Sequence, residues 1–302
     1  MYHKESYKKH RAWHNKHFPT DESKTRHLRK VKAADEQNVT TWLQNLFFTC
    51  FSPLIAVPKQ RWLTVGDAYG LDAHYLLSHG KQEVHASDLN PEFLRVAKQE
   101  GLITDYSSEN AEMLSFGDDH FDYVLCKEAY HHFPRPYAAL YEMIRVSRKG
   151  IVLIEPQDPI SKMPFLLFMI NLLTSLSPKL ANKLWKNRFS YEPVGNFVYK
   201  ISERELEKFA AALNCPVVAF KGINPNFYHE GIESVKTKMS DTRFLKIRLK
   251  KGILDFLVKL RLIPSQVLCV MVFKSRPETS TLMSLIKAGY KIVDIPPNPY
   301  LN

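Results

Sequence analysis

From residue 60 onward, short apolar runs alternate with segments whose apolar residues recur every three to four positions. "RWLTVGD" (61–67) reads as a buried strand and residues 71–79 as a helix, followed by a second strand in "EVHASDL" (83–89). Pro91, whose ring presets the helical φ, opens a helix through about Gln99. A short segment near 103–107 precedes the strand "FDYVLC" (121–126). "PRPYAALYEMIRVS" is helical, with Leu140, Ile144 and Ser147 on one side, and "GIVLIEP" (150–156) is a fifth strand. Strands alternating with helices predict a parallel sheet covered on both faces, the α/β doubly wound class.

Outside that run, residues 36–52 form an apolar helical pattern before strand one. "KMPFLLFMINLLTSLSPKLANKLW" interrupts the alternation with another. It carries Phe165, Phe168, Met169, Leu172, Leu173 and Leu176 on one face and Asn171, Thr174 and Ser175 opposite. "SERELEKFAAAL" opens with a capping box, Ser202 with Glu205, and "VVAFKGI" and "VLCVMVFK" (267–274) supply the last expected strands. In "RFLKIRLKKGILDFLVKLRLIP" (243–264), Leu245, Leu249, Ile253, Phe256, Leu260 and Ile263 make one apolar stripe. Phe244, Ile247, Leu254 and Leu262 fall off it, and Gly252 is a candidate break. Both apolar helices are expected to pack on the body of the protein. The alternatives are an active-site cap for the first and a membrane-facing surface for either.

A chain of 302 residues, 45% hydrophobic and 24% charged, is long enough for one large domain with additions. The expected division is a basic N-terminal arm (1–35), a main domain (36–275) with its core at 60–157 and a helical insertion at about 160–200, and a C-terminal extension (276–302). Cys50, Cys126, Cys215 and Cys269 are widely spaced without a CxxC, which suits free core thiols in a reducing compartment. The first thirty residues are too polar for a signal peptide, and no stretch reaches the roughly 18 apolar residues of a membrane span. These features point to a cytoplasmic protein. Its net charge of +11 is concentrated in residues 1–32, which hold ten Lys/Arg against three acids and five of the twelve histidines. A solvated, partly disordered arm is expected there, with nucleic acid or anionic lipid as conceivable partners. His3, His10, His14 and His17 have no acidic or cysteine ligands nearby in sequence, so no metal is expected.

The chemistry gathers at the predicted carboxyl ends of strands, where doubly wound folds bind ligands. Gly66-Asp67-Ala68-Tyr69-Gly70 follows strand one, and Asp88 ends strand two, 22 residues beyond Gly66, where a carboxylate can accept hydrogen bonds from ribose hydroxyls. A dinucleotide loop wants glycines at positions one, three and six, but position six here is Leu71. Gly66, Ala68 and Gly70 follow a one-three-five spacing instead. The end of strand four, "CKEAYHHFPRP", offers Glu128, Tyr130, His131 and His132, and a histidine suits proton removal near neutral pH.

That loop, Asp88, "ENAEMLSFGDDHFDYVLCKEAYHHF" and "ALYEMIRVSRKGIVLIEP", in this order over about residues 60–157, resemble the class I S-adenosylmethionine-dependent methyltransferases, in particular their broad small-molecule group. The resemblance implies a Rossmann-like doubly wound sheet with an added helical cap, and S-adenosylmethionine as cofactor. It implies cofactor contacts from Gly66, Asp67, Ala68, Gly70, Asp88, Leu89, Asn110, Ala111 and Lys127, with Asn110 and Ala111 bordering the adenine. Residues 36–52 stand where such proteins have a helix closing over the cofactor. His131 or His132 would act as base and Glu128 would orient the acceptor. Thr64, where the family often has an acid, and Ala68, in the middle of the loop, depart from the pattern. "YEPVGNFVYKISERELEKFAAALN" further resembles methyltransferases of bacterial surface-polysaccharide gene clusters, which implies a hydroxyl of a sugar or glycolipid intermediate as acceptor. The acceptor would then be a small or lipid-linked molecule, met at the inner face of an anionic membrane. RNA or another nucleic acid is the alternative acceptor, disfavoured because no aromatic stacking platform accompanies the basic charge. A non-catalytic cofactor-binding scaffold is the third reading.

Overall fold

In the computed structural model, the described residues are 2–32, 38–159, 162–179, 182, 189–192 and 195–300. The core is an eight-stranded sheet. In chain order its strands are β1 (Arg61–Val65), β2 (Glu83–Asp88), β3 (Asp105–Ser108), β4 (Phe121–Lys127), β5 (Ser147–Pro156), β6 (Val217–Ile223), β7 (Val267–Phe273) and β8 (Lys291–Asp294). Their spatial order is β3-β2-β1-β4-β5-β7-β6-β8. The first five run parallel, as the alternation predicts, while β7 is antiparallel to both β5 and β6. β8, in the C-terminal extension, adds an edge strand antiparallel to β6 that the sequence reading did not expect.

Side chains of successive strand residues point to opposite faces, and both faces are apolar, so helices must cover each. Trp62 and the odd residues of β7 (Val267, Cys269, Met271, Phe273) enter one core with α3 (Val39–Ile55), α4 (Leu71–Gly80), α5 (Glu92–Gln99) and α10 (Thr279–Lys287). Leu63, Val65 and the even residues Leu268, Val270 and Val272 enter the other with α6 (Pro136–Val146) and α8 (Glu203–Ala212). All four cysteines are buried. Asn38 caps α3 by accepting the Thr41 N–H at 2.8 Å, and Ser202 caps α8 by accepting that of Glu205. No helix among the described residues is long and apolar enough to cross a membrane.

The basic arm differs most from expectation. Residues Tyr2–His17 and Asp21–Lys32 are helices, α1 and α2, folded onto the domain. Arg95 holds Asp21 at 2.6 Å and Arg29 holds Glu100 at 3.0 Å, while Leu28 is buried in the same core as residues of α3 and α5. Phe18 and Tyr69 each stack edge-on against Phe93 at 4.8 Å. The inward face of α1 is Ser6, Tyr7, His10 and His14, spaced as successive turns of a helix. Because that face is polar and aromatic rather than aliphatic, hydrophobic periodicity could not reveal it. Residues 33–37, where the arm meets the main domain, and parts of the expected insertion at 160–200 lie outside the described residues.

Two excursions leave the sheet at one edge. The parallel strands end at Val65, Asp88, Lys127 and Pro156; Pro156 pairs with Val267, where β7 begins, and Val267 with Ile223, where β6 ends. Residues 157–202, containing α7 (Pro164–Leu176), and residues 224–266, containing α9 (Thr242–Lys259), therefore both start from this carboxyl edge. Gly252 does not interrupt α9.

Candidate active site

The loop after β1 turns back on itself through one carboxylate. Asp67, buried, accepts the Thr64 hydroxyl at 3.0 Å and the backbone N–H groups of Asp72 and Ala73 at 3.2 and 2.9 Å, so it caps the first turn of α4. Thr64, one of the two departures from the family pattern, thus has a partner that fixes the turn. Gly66 has φ +72°, and a Cβ there would come within 2.5 Å of Ala129 Cβ. Gly70 also has φ +72° and packs against Ala97 and Ile103. Ala68 is not among the residues with positive φ, so the methyl group carries no backbone cost.

Across the carboxyl edge lies a cleft of about 440 Å³, a volume typical of small-molecule sites, roofed by α1. One end is lined by Gly66, Ala68, Asp88, Leu89, Asn110 and Ala111. Asp88 accepts the Asn90 N–H at 2.7 Å, and removal from solvent pushes its pKa up to about 7. Asn110 accepts the Glu112 N–H at 3.0 Å and reaches Tyr7 on α1 at 3.4 Å. Glu112 accepts from Tyr7, from the Arg135 N–H at 2.7 Å and from Arg135 Nε at 2.6 Å.

The other end is lined by Glu128, His132, Phe133, Glu192, His10 and His14. Glu128 lies in the left-handed region at φ +51°, a conformation costing a non-glycine residue about 1–2 kcal/mol, and burial raises its pKa. His132 Nδ1 is 2.7 Å from Glu192 Oε2. Burial opposes the Glu192 charge, but the hydrogen bond and charge of His132 outweigh it, and its pKa is lowered. The ionised carboxylate can only accept, so Nδ1 carries the hydrogen and Nε2 is the ring nitrogen left for a second partner. His10 is pushed down to about 4, by burial first and by His132 second, and is neutral near pH 7. Buried Asn196 ties these parts together. It donates to the His132 carbonyl at 2.6 Å and to His10 Nε2 at 2.8 Å, and it accepts from Ser6.

The residues singled out in the sequence separate into two groups. Gly66, Ala68, Asp88, Leu89, Asn110, Ala111, Glu128 and His132 line the cleft; Asp67, Gly70, Lys127 and His131 do not. Lys127 is paired with Asp72 at 3.1 Å beneath the loop. Burial works against its charge, but Asp72 and Glu128 raise its pKa overall. His131 Nδ1 meets fully buried Glu155 at 2.6 Å, and Glu155 also accepts the Ala129 and Tyr130 N–H groups at 2.9 Å. The helix closing over the cleft is α1, not α3, whose Phe47 and Phe51 are core residues. Tyr7, His10, Trp13, His14 and Glu192 were not anticipated as cleft residues. The turn-by-turn recurrence of Tyr7, His10 and His14 is the signal that could have found the first group; Glu192, in a loop far along the chain, carries none. The arm's histidines do acquire partners through the fold: His10, His132 and Glu192 each bring one donor atom within 4.8 Å of the others.

Residues 63–154 match the family described as "Methyltransferase domain". Those residues carry an S-adenosylmethionine-dependent methyltransferase domain. Among curated proteins, this methyltransferase is similar to the demethylmenaquinone methyltransferases of Renibacterium salmoninarum (27% identity, 56% of this chain and 72% of that protein) and Chlorobaculum parvum (27%, 41% and 52%). The chain thus matches about half of the length of the second. Among solved structures, it is similar to the Burkholderia thailandensis 1,6-didemethyltoxoflavin-N1-methyltransferase with bound S-adenosylhomocysteine (14% identity, TM-score 0.45, 75% of this chain and 79% of that one). The methyl donor is S-adenosylmethionine. The cleft fits it on two observations: the bare Gly66 backbone opens onto the cleft where any Cβ would be excluded, and the Asp88 carboxyl stands in the wall as an acceptor for hydroxyls.

Proposed function

We propose that this methyltransferase acts on a hydroxyl of a small molecule, a sugar or glycolipid intermediate, with His132 as general base and Glu192 as its orienting carboxylate. The observation that carries this reading is the His132–Glu192 hydrogen bond of 2.7 Å in the wall of the same cleft as Asp88 and Gly66. Bound S-adenosylmethionine supplies an electrophilic methyl carbon on a sulfonium sulfur. Asp88 would accept the ribose hydroxyls, Gly66 and Ala68 would let the backbone approach the donor, and Leu89, Asn110 and Ala111 would border its base. Asp67, Gly70 and Lys127 would act beneath the loop, by holding its shape.

The protein's task at the acceptor is positioning, water exclusion and removal of one proton. A neutral hydroxyl is a poor nucleophile, and as its oxygen gains the methyl group its proton passes to His132 Nε2. Glu192 stabilises the imidazolium that results, and Glu128 is placed to accept a second acceptor hydroxyl. His131 supports this arrangement from behind, through Glu155, which fixes the backbone of Ala129 and Tyr130. A second reading, an aromatic acceptor of the kind in the relatives' names, is favoured by Trp13, Tyr69 and Phe133 in the wall.

His132→Ala should lower turnover about 10²-fold or more while donor affinity, measured by calorimetry, stays within a few-fold. A chelator should leave the rate unchanged, because the lone pair of His132 does the work. Loss of activity on chelation, restored by zinc, would instead make His10, His132 and Glu192 a metal site. Nuclear magnetic resonance of the product separates the two acceptor readings, since the new methyl group is bonded to oxygen in the first.

A further inference from the structure

α9 packs on the protein through the residues that fall off its apolar stripe. Phe244 and Ile247 are buried against α3, Phe244 edge-on to Trp42 at 5.5 Å. The stripe itself faces out, with Leu249 66%, Phe256 60% and Leu260 51% exposed, and Leu245 and Ile253 complete it. Seven Lys/Arg against one acid occupy residues 242–261. By the helical period, Lys246 and Lys250 flank the stripe on one side and Arg248 and Lys259 on the other, and all four are exposed. α7 repeats the arrangement without charge: Phe165 is 76%, Phe168 61% and Leu176 73% exposed, and Ile170 is its one buried residue. Both helices belong to excursions from the carboxyl edge of the sheet, the edge onto which the methyltransferase cleft opens.

The geometry points to α7 and α9 as a docking surface for an anionic bilayer, set on the catalytic edge so that the acceptor reaches the cleft from the membrane. An apolar stripe between two rows of cations suits the boundary between acyl chains and anionic headgroups. A protein partner would have to supply acids on both sides of an apolar ridge, whereas an anionic bilayer supplies both chemistries at any orientation about its normal. That the acceptor is lipid-linked rests on the function proposed above; the docking does not.

The full-length protein should cosediment with vesicles of phosphatidylglycerol and phosphatidylcholine in equal parts, should bind vesicles of phosphatidylcholine alone far less, and should be released by salt. Lys246→Glu with Lys250→Glu should weaken binding roughly thirtyfold or more, and Leu249→Glu with Phe256→Glu should abolish it, with donor affinity and melting temperature kept. Failure to bind anionic vesicles at low salt, with donor affinity intact, overturns the docking surface and leaves the methyltransferase reading standing. So does sedimentation equilibrium showing a dimer that Leu249→Glu dissolves, because the stripe would then bind a second copy.

Discussion

At the scale of single residues, Asp88 and His131 make opposite predictions about pH. The carboxyl of Asp88 has its pKa pushed up to about 7 by desolvation, so a fraction of it is protonated in neutral solution, and only the ionised form is a strong acceptor for two hydroxyls. Donor affinity should therefore rise with pH through about 7 and level off above it. Asp88→Asn should weaken binding about tenfold to a hundredfold, since hydrogen bonds to a charged partner are worth about 1.5–3 kcal/mol, and should flatten the pH dependence. Calorimetry across that range checks both. For His131 the folded pKa is raised: burial opposes its charge, and Glu155 more than compensates. The stabilisation is fully present below the unfolded value of about 6.5 and is lost as pH climbs through the higher folded value. Wild-type melting temperature should fall over that rise more than that of His131→Asn. Equal pH slopes in the two proteins would place the stabilisation elsewhere.

At the scale of elements, the sequence and the structure agree wherever a segment announces itself by burying aliphatic side chains. β1, β2, β4 and β5 stand within a few residues of their expected limits, because a parallel strand buried on both faces needs an apolar run. The glycine loop and Asp88 were legible for a related reason, as chemistry placed at strand ends. What stayed hidden was buried by other means. α1 docks through Ser6, Tyr7, His10 and His14, so its pattern looks like that of a solvated helix. α9 and α7 have the sequence pattern of packing helices because an apolar stripe normally seeks the core, yet their stripes face outward and α9 is held by the off-stripe pair Phe244 and Ile247. His131 and His132 are adjacent and chemically equal in sequence; only Glu155 and Glu192, 24 and 60 residues away, tell them apart.

The same hidden polar docking makes a prediction for α1. Asn196 is its main tie to the His132 loop, and Asn196→Leu leaves Ser6 and His10 without that partner, at a cost of about 1–3 kcal/mol per unsatisfied buried group. Because this cost falls on the attachment of α1 and not on the sheet, hydrogen exchange should speed up across residues 4–17 and hardly at all in β1, β4 and β5. Michaelis constants for donor and acceptor should rise together, since α1 roofs both ends of the cleft. Unchanged exchange in α1 would show that its other ties, such as Tyr7 to Glu112 and Arg11 to Asn90, suffice to hold the roof.

At the scale of the whole molecule, an eight-stranded sheet gathers on one edge a glycine loop, the carboxyl of Asp88 and a histidine hydrogen-bonded to a carboxylate, beneath a helical roof. Each lies at the carboxyl end of a strand or on a segment that leaves from that edge, which is why distant stretches of chain meet there. On the proposed reading, this edge moves a methyl group onto a hydroxyl with His132 taking the proton. The most direct test is transfer of isotopically labelled methyl from S-adenosylmethionine into a mixed extract of polar small molecules and lipids, with the product identified by mass and linkage. The expected product is one methyl group heavier, joined through oxygen, formed by the wild type and about 10²-fold more slowly by His132→Ala at unchanged donor affinity. A His132→Ala protein that binds the donor and forms the product at the wild-type rate would contradict it.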